Sequence, residues 1–258
     1  MTGAAIRLTG VDVRYRDRFA LDGVDLAIQA GERVALIGGN GAGKSTLLRV
    51  VAGTLAPSAG HVELLGQPLA ALSRMAIARR LGVVPQAAAL PFATRVEEVV
   101  GLGRIPHEDP FRGPRPADHA AIRSAIDRVG IGDLVGRDAR ELSLGERQLV
   151  LIAMAIAQDT PILLLDEPTV HLDLRHQVAA MELLVGLNER DGMTVVAVLH
   201  DLGMAAHFFG RLVLLERGRI IADGSPAEVL TPERIRGVFG VDPALIRLGP
   251  QGVLTSRP

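Results

Sequence analysis

Gly38-Gly39-Asn40-Gly41-Ala42-Gly43-Lys44-Ser45 is the stretch on which the reading of this chain turns. It fits G-x-x-x-x-G-K-[ST], a glycine-rich turn that joins a strand to a helix and cradles phosphate. Glycines let backbone N–H groups turn inward toward phosphate oxygens with no Cβ in the way. The helix that starts at Lys44 offers unpaired N–H groups and the positive end of its dipole to the same anion. Lys44 is a compact point charge suited to β- and γ-phosphates, and the Ser45 hydroxyl suits Mg2+. Composition sharpens the point. Of 28 basic residues Lys44 is the single lysine, and the wide planar fork of an arginine would not fit such a cradle.

The flanks agree with this reading. Residues 33–37 (RVALI) form a short buried strand feeding the turn, and the helix from Lys44 turns Leu47, Leu48 and Val51 inward before stopping near Gly53. Upstream, Ile6, Leu8, Val11 and Val13, then Val24, Leu26 and Ile28, alternate around polar turns and predict an antiparallel β layer. Downstream, strand-like runs at 162–165, 194–199, 212–215 and 219–222 are separated by helix-period segments. One such stripe is Leu174, Val178, Met181 and Leu184, closed by Asp191-Gly192. Strands alternating with helices predict an α/β fold with a largely parallel sheet covered on both faces.

The middle of the chain reads differently. Residues 87–141 show no buried-strand signal, hold a proline-rich loop from Pro106 to Pro116, and continue into a helix with Ile122, Ala125, Ile126 and Val129 inward. This predicts an α-helical lobe inserted into one domain spanning 1–258, with 1–86 and 142–258 as the core and about 240–258 as a C-terminal tail. Two helix starts are legible near that end. Ser225-Pro226-Ala227-Glu228 is a capping box, and Thr231-Pro232 repeats the cap.

Composition excludes several classes. With 28 basic and 29 acidic side chains the formal charge is −1, so no general attraction to nucleic acid is expected. No apolar run approaches the roughly 20 residues of a membrane span. The absence of cysteine removes disulfides and thiolate metal sites and fits a reducing interior. These features predict a cytoplasmic protein, or one docked on a membrane from the inside.

Two further motifs lie after the cradle. Ile162-Leu163-Leu164-Leu165-Asp166-Glu167 is a buried strand ending in adjacent carboxylates, one able to reach a Mg2+ shell while the next faces an attacking water. Leu142-Ser143-Leu144-Gly145-Glu146-Arg147-Gln148 opens a helix whose N-terminus suits a phosphate. The second is similar to the LSGGQ signature of ATP-binding cassette (ABC) ATPases. With the three elements in this order, the chain resembles an ABC transporter ATPase, a P-loop NTPase, over nearly its whole length.

The resemblance implies roles for individual residues. Tyr15 stands where the family stacks an aromatic on adenine, and Gly38, Gly39, Asn40, Gly41, Ala42, Gly43, Lys44, Ser45 and Thr46 would line the phosphates. Gln86 in Val84-Pro85-Gln86 matches the Q-loop glutamine, Leu172-Asp173 the end of the D-loop, and His200 the switch histidine. Ser45, Gln86 and Asp166 would serve Mg2+, with Asp166 acting through water. Glu167 would be the general base or water-orienting carboxylate. Ser143 and Gly145 would touch the ATP of a second copy, and Asp173 would lie beside it. Implied partners are that second copy, a transmembrane permease docked on the helical lobe and, indirectly, a substrate-binding protein, at the cytoplasmic face of a bacterial inner membrane.

The stretch Arg95-Val96-Glu97-Glu98-Val99-Val100-Gly101-Leu102-Gly103-Arg104-Ile105-Pro106-His107 looks like a segment of iron–siderophore, haem and vitamin B12 importer ATPases. It favours an iron chelate as cargo, with cobalamin as the alternative. Three positions depart from the family pattern. Gly39 stands for a frequent proline, Leu144 for the first signature glycine and Val170 for the D-loop serine. The last two predict weaker ATP-driven dimerisation or slower turnover, and they keep open a regulatory, non-transport ABC protein with weak ATPase.

Overall fold

The computed structural model describes residues 3–16, 18–86, 93–109, 113–242, 247–248 and 254–255. The first residues of the expected lobe (87–92), part of its proline-rich loop (110–112) and most of the expected tail lie outside the described residues. The chain divides into two compact units, Met1–Leu72 with Thr194–Pro258, and Ser73–Met193. Residues 87–141 fall wholly within the second.

The first stretch of the first unit contains β1 (Ala4–Tyr15), β2 (Arg18–Gln29), β3 (Arg33–Gly38), α1 (Lys44–Val51), β4 (Ala59–Leu64) and β5 (Gln67–Pro68). The second unit contains α2 (Arg74–Ala78), β6 (Leu81–Val84), α3 (Val96–Gly101), α4 (Pro116–Val129), α5 (Leu144–Ala157), β7 (Ile162–Asp166) and α6 (Leu174–Asp191). The first unit resumes with β8 (Thr194–Val198), α7 (Leu202–Phe208), β9 (Arg211–Glu216), β10 (Arg219–Gly224), α8 (Pro226–Val229) and α9 (Pro232–Phe239). A two-stranded pair, β11 (Arg247–Leu248) and β12 (Leu254–Thr255), follows.

In the first unit the alternating residues form the expected antiparallel layer. Ile6 faces Ile28, Leu8 faces Leu26 and Val11 faces Val24, and all six are buried. β4 adds to the other edge of β1, with Leu8 opposite Val62. β3 lies between β8 and β9, parallel to both, with Leu36 opposite Val198 and Val213. Val34 to Gly38 are all buried, as a strand covered on both faces requires. β10 returns antiparallel to β9. Burying Leu47, Leu48, Val50 and Val51 holds α1 on this unit, and Gly53 (φ 69) ends it in the left-handed region.

In the second unit β6 and β7 pair in parallel, Val84 opposite Leu165. α3 and α4 pack on α5. Ala125 and Ile126 of α4 are buried as expected, whereas Ile122 and Val129 are half-buried. One expectation fails on α6. Leu174, on the first turn directly after the N-cap Asp173, is 74% exposed, and Met181, Leu184 and Leu187 carry the buried stripe instead. A buried ion pair ties α4 to the three-ten helix Leu102–His107 and the end of α5. Arg104 Nε donates to Asp118 Oδ1 at 3.0 Å, and the same guanidinium donates to the carbonyl of Ala157 at 2.7 Å. The Arg115 backbone N–H, then the Arg104 guanidinium, hold the Asp118 carboxyl below its ordinary range. That stabilisation is present above the ordinary carboxylate pKa near 4 and is lost as pH falls through the lower folded value.

Candidate functional site

The cradle of the first unit is built as its residue types require. The loop after β3 takes positive φ at Gly38 (146), Gly41 (73) and Gly43 (109). A Cβ on Gly38 would lie 2.2 Å from the Leu215 carbonyl oxygen, and one on Gly43 would lie 2.5 Å from that of Ala20. Those two glycines are therefore demanded by neighbouring backbone, whereas a Cβ on Gly39 would meet no atom of the described residues nearer than 3.7 Å.

Lys44 is only 6% exposed, and its ammonium donates to the carbonyl oxygens of Gly38 (2.8 Å) and Gly39 (3.0 Å), holding the loop curled over itself. α1 begins on Gly43 with no side-chain cap. Among the other described α-helices, α2, α5, α6, α7 and α9 start on a side chain that accepts from the first turn, and in α3, α4 and α8 a Glu or Asp of that turn accepts from the N-cap backbone N–H. A buried cation beside an uncapped helix start fits a phosphate, which would take the place of the missing cap. β8, parallel to β3, carries the chain to His200, so His200 leaves the same edge of the sheet as the loop. Tyr15 stands exposed at the end of β1.

The second unit gathers the other half of the expected residues. Because β6 and β7 are parallel and in register, Gln86 and the carboxylates Asp166 and Glu167 emerge at one edge. Gln86 Nε2 donates to Glu167 Oε2 at 2.6 Å, leaving the amide oxygen of Gln86 for a cation. Glu167 takes φ 52, an uncommon conformation for a side chain of this kind. Among the described residues no group of three or more His, Cys, Asp or Glu could hold a metal. Gln86 and Asp166 at this edge offer hard oxygens and few, the kind of donor that suits Mg2+ held largely by water and phosphate rather than by a protein cage.

The helix α5 starts on a capping box: Ser143 Oγ accepts from the Glu146 N–H at 3.2 Å, and Glu146 Oε2 accepts from the Ser143 N–H at 2.8 Å. A Cβ on Gly145 would come within 3.0 Å of the His171 carbonyl oxygen, so the backbone between β7 and α6 rests on the start of α5. Asp173 caps α6, accepting from the His176 N–H (2.9 Å) and His176 Nδ1 (2.8 Å); the His176 backbone N–H, then its ring, hold its carboxyl low. A cavity of about 410 Å3 is lined by Ser143, Gly145, His171, Asp173 and His176. Leu144 stands 60% exposed at its rim, and Val170 and Leu174 are exposed as well. His176, half-exposed, is a further member of this cluster, and its i, i+3 spacing from the capping Asp173 is what places it there.

A profile of the ABC transporter family matches residues 21–170. The chain is 43% identical to the cobalamin import ATP-binding protein BtuD of Halobacterium salinarum, over 92% of this chain and 61% of that protein. It is 49% identical to the hemin import ATP-binding protein HmuV of Nocardia farcinica, over 86% of this chain and 76% of that one. It is 40% identical to the ferric enterobactin transport ATP-binding protein FepC of Escherichia coli, over 93% and 90%. Among solved structures it is similar to the dimeric structure of MJ0796, a bacterial ABC transporter cassette, with TM-score 0.76 and 29% identity, covering 86% of this chain and 98% of that one. The fold is that of an ATP-binding cassette, an α/β P-loop core. The chain belongs to the ABC transporter family. It spans about three-fifths of the length of the cobalamin relative, at 61%. Among the described residues no helix is long and apolar enough to cross a membrane.

Proposed function

We propose that this chain is the ATP-binding and ATP-hydrolysing subunit of an importer for iron chelates, siderophore or haem, and that it energises a separate transmembrane permease from the cytoplasmic face of the membrane. The observation that carries the ATP reading is the buried Lys44 ammonium in a glycine loop leading to an uncapped helix. Importer function and cargo are supported by relatives that import haem, ferric enterobactin and, as the alternative, cobalamin.

The residues divide the work by chemistry. Tyr15 stacks on the base. The N–H groups of the loop 38–46 and Lys44 take the phosphates, and the negative charge they neutralise is largest in the transition state. Mg2+ would add charge neutralisation there, and Ser45, Gln86 and Asp166 are the groups that would hold it. Glu167 orients the attacking water and accepts its proton, with Gln86 fixing the carboxylate through the 2.6 Å bond. His200 contacts the γ-phosphate. Ser143 and Gly145 meet the nucleotide of a second copy, with Asp173 beside it, in keeping with the dimeric MJ0796 cassette.

The domain reading is a single cassette with a lobe at 87–141 that receives the permease, and a tail from about 240. Purified with its permease, the protein is expected to hydrolyse MgATP faster when the permease meets a binding protein loaded with ferric siderophore or haem. Stimulation by cobalamin alone would overturn the iron assignment.

Leu144 is the observation that favours a slow, regulatory variant. Its side chain stands where a glycine would leave room for the nucleotide of the second copy, and forcing a side chain into such a contact costs about 1–3 kcal/mol. Leu144→Gly is therefore expected to raise phosphate release about fivefold. An unchanged rate would show that the substitution is silent.

A further inference from the structure

The hairpin that carries Tyr15 also carries a cation with no role so far. β1 and β2 pair Arg14 with Phe19 and Tyr15 with Arg18, with no shift of register between the two pairs. Side chains directly opposite share a face, and consecutive pairs alternate faces. Arg14 and Phe19 therefore occupy one face, where the Arg14 guanidinium lies 4.5 Å from the centre of the Phe19 ring. Tyr15 and Arg18 share the other. The Arg18 side chain reaches back toward the glycine loop: a Cβ placed on Gly41 would lie 4.0 Å from Arg18 Nη2, and among the described residues nothing else stands within that distance. Arg18 is exposed, and among the described residues no hydrogen bond or ion pair engages it.

We propose that Arg18 is a nucleotide-binding residue whose guanidinium takes the α-phosphate. The proposal rests on the reading that a nucleotide occupies the cradle, and it follows from order along that ligand. The base lies at one end, against Tyr15, and the β- and γ-phosphates at the other, with Lys44. The α-phosphate is the anionic group between them. Arg18 is the cation that shares a face with Tyr15 and ends beside Gly41, within the loop. A guanidinium presents a planar fork of donors that matches two phosphate oxygens, and Gly41 leaves it room. This also explains a division of labour between the two cation types. The compact ammonium of Lys44 is enclosed by the loop, whereas the larger head of Arg18 approaches from its open side.

The test uses the full chain and compares native protein with Arg18→Ala and Arg18→Lys. Tyr15 is the single tyrosine and there is no tryptophan, so intrinsic emission reports the ring that meets the base. Affinities for MgADP are measured by calorimetry, those for AMP and adenosine by displacement of ADP, and Tyr15 emission is followed in each case. Arg18→Ala is expected to weaken MgADP and AMP about tenfold or more, as the loss of a charge-assisted hydrogen bond implies, while adenosine is unaffected. Arg18→Lys recovers part of the loss. In turnover, KM for MgATP rises with kcat unchanged, because the α-phosphate carries the same charge before and during the reaction.

Equal MgADP affinity in Arg18→Ala and native protein would overturn the proposal. So would an equal loss for adenosine, which would make Arg18 a support for Tyr15 rather than a phosphate ligand. Failure of the native protein to bind MgADP or MgATP at all is a different result, and it would bring down the nucleotide reading itself.

Discussion

Lys44→Ala is expected to lower MgATP hydrolysis about a thousandfold, the scale of losing a buried charge aimed at developing negative charge. Two effects act together. The ammonium is removed from a site only 6% exposed to solvent, where water screens little of its attraction for phosphate. The carbonyl oxygens of Gly38 and Gly39, which it bridges at 2.8 and 3.0 Å, are left without that donor. The Gly39 oxygen keeps the Ala42 N–H at 3.2 Å, but losing bonds from a charged donor costs about 1.5–3 kcal/mol, so the curl of the loop loosens as well. Lys44→Arg separates charge from shape. It keeps the charge, but its planar head is too wide to lie between two carbonyls of one tight turn, and it is expected to fail nearly as badly. Phosphate release and calorimetric MgATP affinity check both variants, with a thermal melt to establish that the fold persists. Native rates in Lys44→Ala would remove the phosphate cradle from the account.

What could be read from the sequence, and what could not, follows from the range of the interaction concerned. The antiparallel layer was legible because Ile6, Leu8, Val11 and Val13 alternate over a run long enough to declare a buried face. The cradle was legible because its geometry is local, every residue from Gly38 to Ser45 being chain neighbour to the next. β6 was missed. It has four residues, and its Gly82 looks like a breaker; in the structure a Cβ there would stand 3.2 Å from Thr160 Oγ1, so packing at that point leaves little room for a side chain. β4 was missed because only Val62 and Leu64 are buried in a strand that starts Ala59-Gly60-His61. Leu174 fits the stripe by its spacing yet is exposed, because periodicity gives a face and not the depth at which a helix begins to be covered. The bond between Gln86 and Glu167 joins residues 81 positions apart, and the pair Arg104 with Asp118 depends on how α4 lies on α5. Spacing along the chain carries no trace of either. The family pattern named Gln86 and Glu167 separately, and only the parallel register of β6 with β7 brings their side chains together.

Glu167→Gln is expected to reduce the steady rate of phosphate release by roughly a hundredfold or more, the worth of a positioned general base, while leaving MgATP affinity near native. The geometry makes this variant unusually informative. Glu167 Oε2 accepts a 2.6 Å bond from Gln86 Nε2, and an amide oxygen at the same place can still accept it, without the carboxylate's charge assistance. The backbone at φ 52 already tolerates a side chain of this length and branching. Shape, packing and the partner hydrogen bond survive, so what disappears is the capacity to take a proton from water. Glu167→Ala is the contrast: it loses the bond to Gln86 as well, and Gln86 becomes free to leave the cation it would serve. A larger MgADP or MgATP affinity change in Glu167→Ala than in Glu167→Gln would therefore report the positioning role of Gln86 apart from the chemistry at Glu167. If hydrolysis is what reopens the pair of cassettes, Glu167→Gln also accumulates as a nucleotide-bound dimer in size-exclusion chromatography, whereas the native protein returns to monomer as ATP is consumed. Equal rates of phosphate release in native protein and Glu167→Gln would deny Glu167 its role as the base. With turnover then independent of the carboxylate, the apolar substitutions at Leu144 and Val170 would mark a cassette that binds ATP to regulate a partner rather than to drive import.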